Sequence, residues 1–182
     1  MQISWIFAAQ YQLPPTVDID AIKNIGPIWG SWQTWRSAAT DNVICHDRAQ
    51  AETLITRQFQ HKANLHLPRT WYAELGTPQS VNWYDGKYSV EMDNIDDCIA
   101  MHLAAVNSNV ILLMGFDLTL PKNVDDRFQQ HKIQNRHAVI HQTVKNNSQV
   151  QWVVVDGALD KSYAELSNIT CDKLDNVLQL LS

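Results

Sequence analysis

Residues 110–114, VILLM, are apolar at five consecutive positions. A strand with one wet face alternates polar and apolar side chains, so a run with no polar position has to be covered on both sides. ISWIFAA (3–9), polar only at Ser4, and VQWVVVDG (150–157), with WVVV unbroken at its centre, read the same way, while NVICHD (42–47) and NLHLP (64–68) are shorter runs bounded by polar or turn-forming residues. With NVILLMGF (109–116), these make five expected strands.

Between the runs lie stretches with helical spacing. Ala51, Leu54, Ile55 and Phe59 share one face near 48–61, and Ile95, Cys98, Ile99, His102, Leu103 and Val106 share one near 95–107. Asn94 or Asp93 is placed to cap the second of these helices. Further helices are expected at 18–24, 126–146 and 172–181. Strands apolar on both faces and alternating with helices indicate a parallel sheet sandwiched between helical layers. The expected fold is a three-layer, Rossmann-like α/β domain over residues 1–182, with a mostly parallel five-stranded sheet. One insertion is expected: SVNWYDGKYSV (80–90) carries Asp85-Gly86 between aromatic-rich runs, the signal of an antiparallel β-hairpin.

Composition narrows the classes of function. Of 182 residues, 45% are hydrophobic and 18% charged, which is ordinary for a folded domain. The net charge of −5 without a basic cluster argues against nucleic acid as a partner. Cys45, Cys98 and Cys171 form no CxxC pair, and MQISWIFAAQYQLPP has neither a basic start nor an apolar stretch long enough for a signal peptide or membrane span. A cytoplasmic protein without membrane contact is expected.

In an open parallel sheet, ligands meet the carboxyl ends of the strands near the point where strand order reverses. The residues that follow the strands are Gln10 and Tyr11, then His46, Asp47 and Arg48, then Arg69, then Asp117, and last Asp156. His46, Asp47 and Asp117 are the candidates for catalysis. Gln10, Tyr11, Arg69, Gly115 and Asp156 are candidates for ligand contact, with Gly115 permitting a close approach. Asp117 could equally serve a turn and Asp47 could cap the helix that begins at Arg48.

The segment YSVEMDNIDDCIAMHLAAVNSNVILLMGFDL (88–118) is an amphipathic helix leading into a buried strand that ends Gly-aromatic-Asp. It resembles a motif of the superfamily that contains bacterial sialyltransferase-like and 6-hydroxymethylpterin diphosphokinase-like proteins. The resemblance covers about a sixth of the chain. It implies a nucleotide or nucleotide-sugar as ligand, Asp117 at the ligand edge, and a small glycosyltransferase-like enzyme. The cofactor is left open by the residues, with a divalent cation accompanying the nucleotide as the candidate. The first strand is followed by AAQYQLPPT, which lacks the glycines that let backbone amides cradle a phosphate, and the nearest glycines are Gly26 and Gly30.

Trp29, Trp32 and Trp35 recur every third residue, so on a helix they form an aromatic ridge able to stack on a sugar or base, or to pack in a core or interface. Trp32, Trp35 and Tyr84 are taken as stacking candidates. The competing expectation is a non-catalytic protein that self-associates or binds a protein partner through a tryptophan-rich surface. His137 and His141 stand one helical turn apart with His131 nearby, but no glutamate completes a zinc motif, and His137 is in line with Ile133, Ile140 and Val144. No metal ligand is assigned, and His102 is expected to be a hydrogen-bonded core residue. Neither a Walker loop, a GxGxxG nor a GxSxG elbow occurs.

Overall fold

The structure, a computed structural model, describes residues 1–38, 40–76, 80–86, 92, 94–121 and 124–181. In chain order the elements are β1 (Ile3–Phe7), α1 (Ile19–Ile25), β2 (Ile28–Ser31), α2 (Trp32–Ala38), β3 (Asn42–Ile44), α3 (Arg48–Thr56), β4 (Asn64–Pro68), α4 (Tyr72–Leu75), β5 (Val81–Tyr84), α5 (Ile95–Ala105), β6 (Val110–Met114), α6 (Arg127–Asn146), β7 (Gln151–Val155), β8 (Ile169–Asp172) and α7 (Leu174–Leu181). The strands form one eight-stranded sheet in the order β5-β4-β3-β2-β1-β6-β7-β8. Every pairing is parallel.

The sheet is larger than expected from the apolar runs. β2, β5 and β8 are only four residues each, and their sequences, IWGS, VNWY and ITCD, mix polar and apolar groups. β2 passes into α2 with no intervening loop, which splits the tryptophan series: Trp29 is in a strand, and Trp32 and Trp35 are in a helix. Only the first arm of the expected hairpin falls within the described residues. Val81–Tyr84 is an edge strand paired parallel to β4, and the second arm, 87–90, lies outside the described residues.

Helices cover both faces of the sheet. Ile6, Ile44, Ile111, Leu113, Trp152 and Val154 point to one face, where α5 and α6 supply Ala100, Met101, Ala104, Ile140 and Val144. On the other face, Trp5, Phe7, Ile28 and Leu112 meet Ile22 of α1 and Val177 of α7. The register that matches Gly30 with Val43 puts Val43, Leu65 and Leu67 on this same face, under Ala51 and Leu54 of α3. α5 presents only part of the expected stripe: Cys98 and Ile99 are buried, and Ile95 and Leu103 pack against the core. Asp97, Cys98, Ala100, Met101, Ala104 and Ala105 are buried, while His102 is exposed and Val106 is 73% exposed. The helix is apolar on nearly every side, and its small alanines permit the closest approach to the sheet, so packing rather than periodicity sets its rotation. His102 is therefore not a core histidine.

Caps define several helix starts. Asp18, Asp47 and Asp126 accept first-turn amides of α1, α3 and α6. Asn94 occupies the corresponding place before α5 with a left-handed backbone and no side-chain cap bond, and Asp93 lies outside the described residues.

One buried carboxylate joins three elements. Asp97, fully buried in the first turn of α5, accepts the Ala9 amide just beyond β1 at 3.0 Å and an Arg136 N–H from α6 at 3.2 Å. The Arg136 guanidinium also lies 5.5 Å from the centre of the Phe116 ring. Removing one member of a buried ion pair leaves the other without its counter-charge. Asp97→Ala should lower stability by about 3–5 kcal/mol, read as a drop in the urea midpoint without a change in slope.

Candidate functional site

All the strands are parallel, so their carboxyl ends share one edge, and the order reverses between β1 and β6. The chain turns back directly after β1, with the Tyr11 amide bonded to Ala8 O at 2.9 Å. This brings the Tyr11 ring over Gly115, where an added Cβ would come within 2.4 Å of ring carbon Cδ2. Gly115 has φ +74°, which by itself favours glycine. Tyr11 also packs edge-to-face on Phe7 with ring centres 5.7 Å apart, and partial burial and the Asp156 charge push its phenol pKa upward. The reversal point is thus closed on one side by an aromatic ring.

Beside it lies a shallow hollow of about 380 Å³ lined by Gly115, Phe116, Asp117, Asp156, Gly157 and Ala158. Asp117 Oδ1 accepts both the amide of Thr119 at 3.0 Å and its hydroxyl at 2.7 Å, so the turn reading describes this oxygen. Asp156 has a left-handed backbone, with φ 52°, and lies 3.5 Å from Lys173 Nζ. Two carboxylates line the hollow, one of them paired with Lys173.

A second group of polar residues gathers at the ends of β3 and β5. His46 Nδ1 lies 2.8 Å from the Tyr84 hydroxyl, and the His46 amide donates to Asp96 Oδ1 at 3.0 Å. Trp71 is inclined over the His46 ring at 5.9 Å. Asp96 keeps some contact with solvent yet is ringed by protein. Lost hydration first, and the neighbouring Asp97 charge second, raise its pKa to about 7 against the hold of the His46 amide. Burial lowers the pKa of His46. Cys45 points to the opposite face, donates to Asp47 O at 3.3 Å, and is pushed up to about 12 mainly by burial. Asp47 Oδ1 caps α3 through the Gln50 amide at 2.8 Å, and Arg69 pairs with Asp85 at 3.0 Å.

The candidate residues therefore fall into separate places. β3 and β6 are three strand spacings apart, about 14 Å at roughly 4.8 Å per strand. His46, Asp47, Arg69 and Tyr84 lie on one side of the reversal, and Gly115, Asp117 and Asp156 lie on the other. Tyr11 and Gln10 follow β1 between them, with Gln10 exposed. Trp32 and Trp35 belong to neither group, because they pack with the α3 core on the opposite face from Tyr84.

Asp96 and Asp97 were not singled out from the sequence. The available signal was IDDCIAMHLAA, in which Asp97 stands three, four and seven residues before Ala100, Met101 and Ala104 and so lies on the buried stripe. A carboxylate in such a position requires a partner. His66 also escaped notice: its Nε2–H donates to Asn42 Oδ1 at 3.2 Å beneath Trp29, and burial takes its pKa to about 4.

No known family model, curated protein or solved structure matches this chain. The chemistry of the site rests on its own residues. His137 and His141 bond the carbonyls of Leu118 and Ser162 at 3.2 and 3.1 Å. Among the described residues no group of three or more His, Cys, Asp or Glu is placed to hold a metal ion. No helix among the described residues is long and apolar enough to cross a membrane. None of the seven tryptophans is exposed: Trp5 and Trp152 are buried and the other five are half-buried.

Two measurements check this geometry. Gly115→Ala should cost about 1–3 kcal/mol from backbone strain and overlap with Tyr11, and a double-mutant cycle with Tyr11→Ala should recover only the overlap. For Asp96, folding raises the pKa from 3.8 to about 7, so within that window the folded chain holds a proton the unfolded chain has released. Stability should fall as pH rises between those values and level off above them. Asp96→Asn keeps an oxygen for the His46 amide and should remove that fall, as seen in urea midpoints measured at several pH values.

Proposed function

We propose that this chain is a Rossmann-like nucleotide or nucleotide-sugar handling enzyme of glycosyltransferase-like type, with its acid–base site at His46, Tyr84 and Asp96. The observation that carries the reading is the convergence of these three groups from β3, β5 and α5 at the carboxyl edge, with His46 Nδ1 at 2.8 Å from the Tyr84 hydroxyl and its amide at 3.0 Å from Asp96. Parallel sheets take their ligands at this edge, and the resemblance of residues 88–118 implies the same ligand class.

A carboxyl with a pKa of about 7 is matched to proton transfer near neutral pH, because it is part ionised yet still basic. In transfer of a sugar, the acceptor hydroxyl gives its proton to Asp96 as its oxygen forms the bond to the anomeric carbon. The bond from that carbon to the nucleotide phosphate breaks, and the phosphate leaves with the electron pair. His46 and Tyr84 orient the substrate hydroxyls, and Trp71 offers a ring beside them. Arg48, Arg69 and Lys173 at this edge are each paired with a carboxylate. The ligand is accordingly recognised through sugar and base more than through phosphate.

Thermal unfolding against nucleosides, nucleotides, nucleotide-sugars and free sugars tests the proposal. A ligand at about a hundred times its dissociation constant adds roughly 2.7 kcal/mol, a rise of several degrees in the midpoint. A selective rise with a nucleotide-sugar is expected. Asp96→Asn should keep that rise while lowering sugar transfer or hydrolysis by about 10²–10⁴-fold. A flat panel, or turnover untouched by Asp96→Asn, would refute it.

A further inference from the structure

We infer that the crevice between α2 and α3 is a separate binding site for a small anionic ring compound, of the size and chemistry of a nucleoside monophosphate. It lies on the sheet face opposite Tyr84 and encloses about 330 Å³, at the lower end of the range for small-molecule pockets. Trp32 and Trp35, one turn apart on α2, form an aromatic wall that Phe59 continues, with the Trp35 and Phe59 rings edge-to-face at 4.6 Å. The facing wall is polar. Gln50 on α3 and Arg57, the residue that caps the end of α3, stand seven residues apart, and Lys62 joins them from beyond the helix.

Helix faces that look toward tryptophans ordinarily carry apolar residues. Here the side-chain carboxamide of half-buried Gln50 has no hydrogen-bond partner among the described residues, and neither Arg57 nor Lys62 has an ion pair there. No carboxylate lines the crevice, although the chain carries a net charge of −5. At the carboxyl edge, by contrast, Arg48, Arg69 and Lys173 are all paired. An aromatic wall suits the face of a base or sugar ring, and two uncommitted cations suit one phosphate. A compound with both parts matches both walls.

Binding of adenosine 5′-monophosphate to the whole chain, followed by quenching of tryptophan fluorescence and by equilibrium dialysis, tests the inference. Saturable binding is expected, with adenosine and inorganic phosphate each at least tenfold weaker. The Arg57→Gln/Lys62→Gln variant should weaken the monophosphate at least tenfold while melting like the wild type, since both side chains are exposed. If the pair melts lower, Arg57→Gln alone is read in the same way. Asp96→Asn should bind the monophosphate as the wild type does, so failure here and failure at the carboxyl edge are read separately. Absence of saturable binding, equal affinity for adenosine, or binding indifferent to Arg57 and Lys62 would overturn the assignment. So would a dimer in sedimentation that the double substitution dissolves, because the crevice would then hold a second copy of the chain.

Discussion

The buried carboxylate of Asp97 is the contact on which the arrangement of the carboxyl edge depends. It holds the loop after β1 through the Ala9 amide and holds α6 through Arg136, while its neighbour Asp96 holds the end of β3 through the His46 amide. Two consecutive residues of one helix thus fix two strand ends on the same side of the reversal point. An ion pair withdrawn from water yields little net stability, and its value lies in the single geometry it permits. The geometry it imposes here joins the loop after β1 to α5 and α6.

Electrostatic strain at Asp96 is a consequence of the same arrangement. A carboxyl placed against Asp97 and largely deprived of water holds its proton to about pH 7. Stability is lost to create it, and such losses concentrate where proteins do chemistry. The hollow at β6 and β7 shows the opposite condition, because its Asp117 is satisfied by Thr119 and its Asp156 is matched by Lys173. Of the two groups at the sheet edge, the one near β3 carries the perturbed titration, and the one near β6 carries turn chemistry.

How much of this was legible depends on how local each interaction is. β1, β4, β6 and β7 announce themselves as apolar runs within a residue or two of their ends, and Asp47 is recognisable as a cap because its partner is three residues away. β2, β5 and β8 are short, and their stability comes from neighbouring strands that are distant in sequence. The tryptophan ridge failed for a related reason. Spacing of three fits a helix, but the backbone of Trp29 is paired with β1 and β3 before α2 begins.

The sequence by itself determined the class of the fold, because apolar runs without a polar face and helical spacing between them admit a covered parallel sheet and little else. It also determined that polar residues would collect where those strands end. Only the tertiary structure decided how they are grouped. His46 and Asp96 are separated by 50 residues, and Ala9 and Asp97 by 88. Strand order distributed the remaining candidates over two sides of the sheet edge and the opposite face, since it is set by pairing between strands that are distant in the chain.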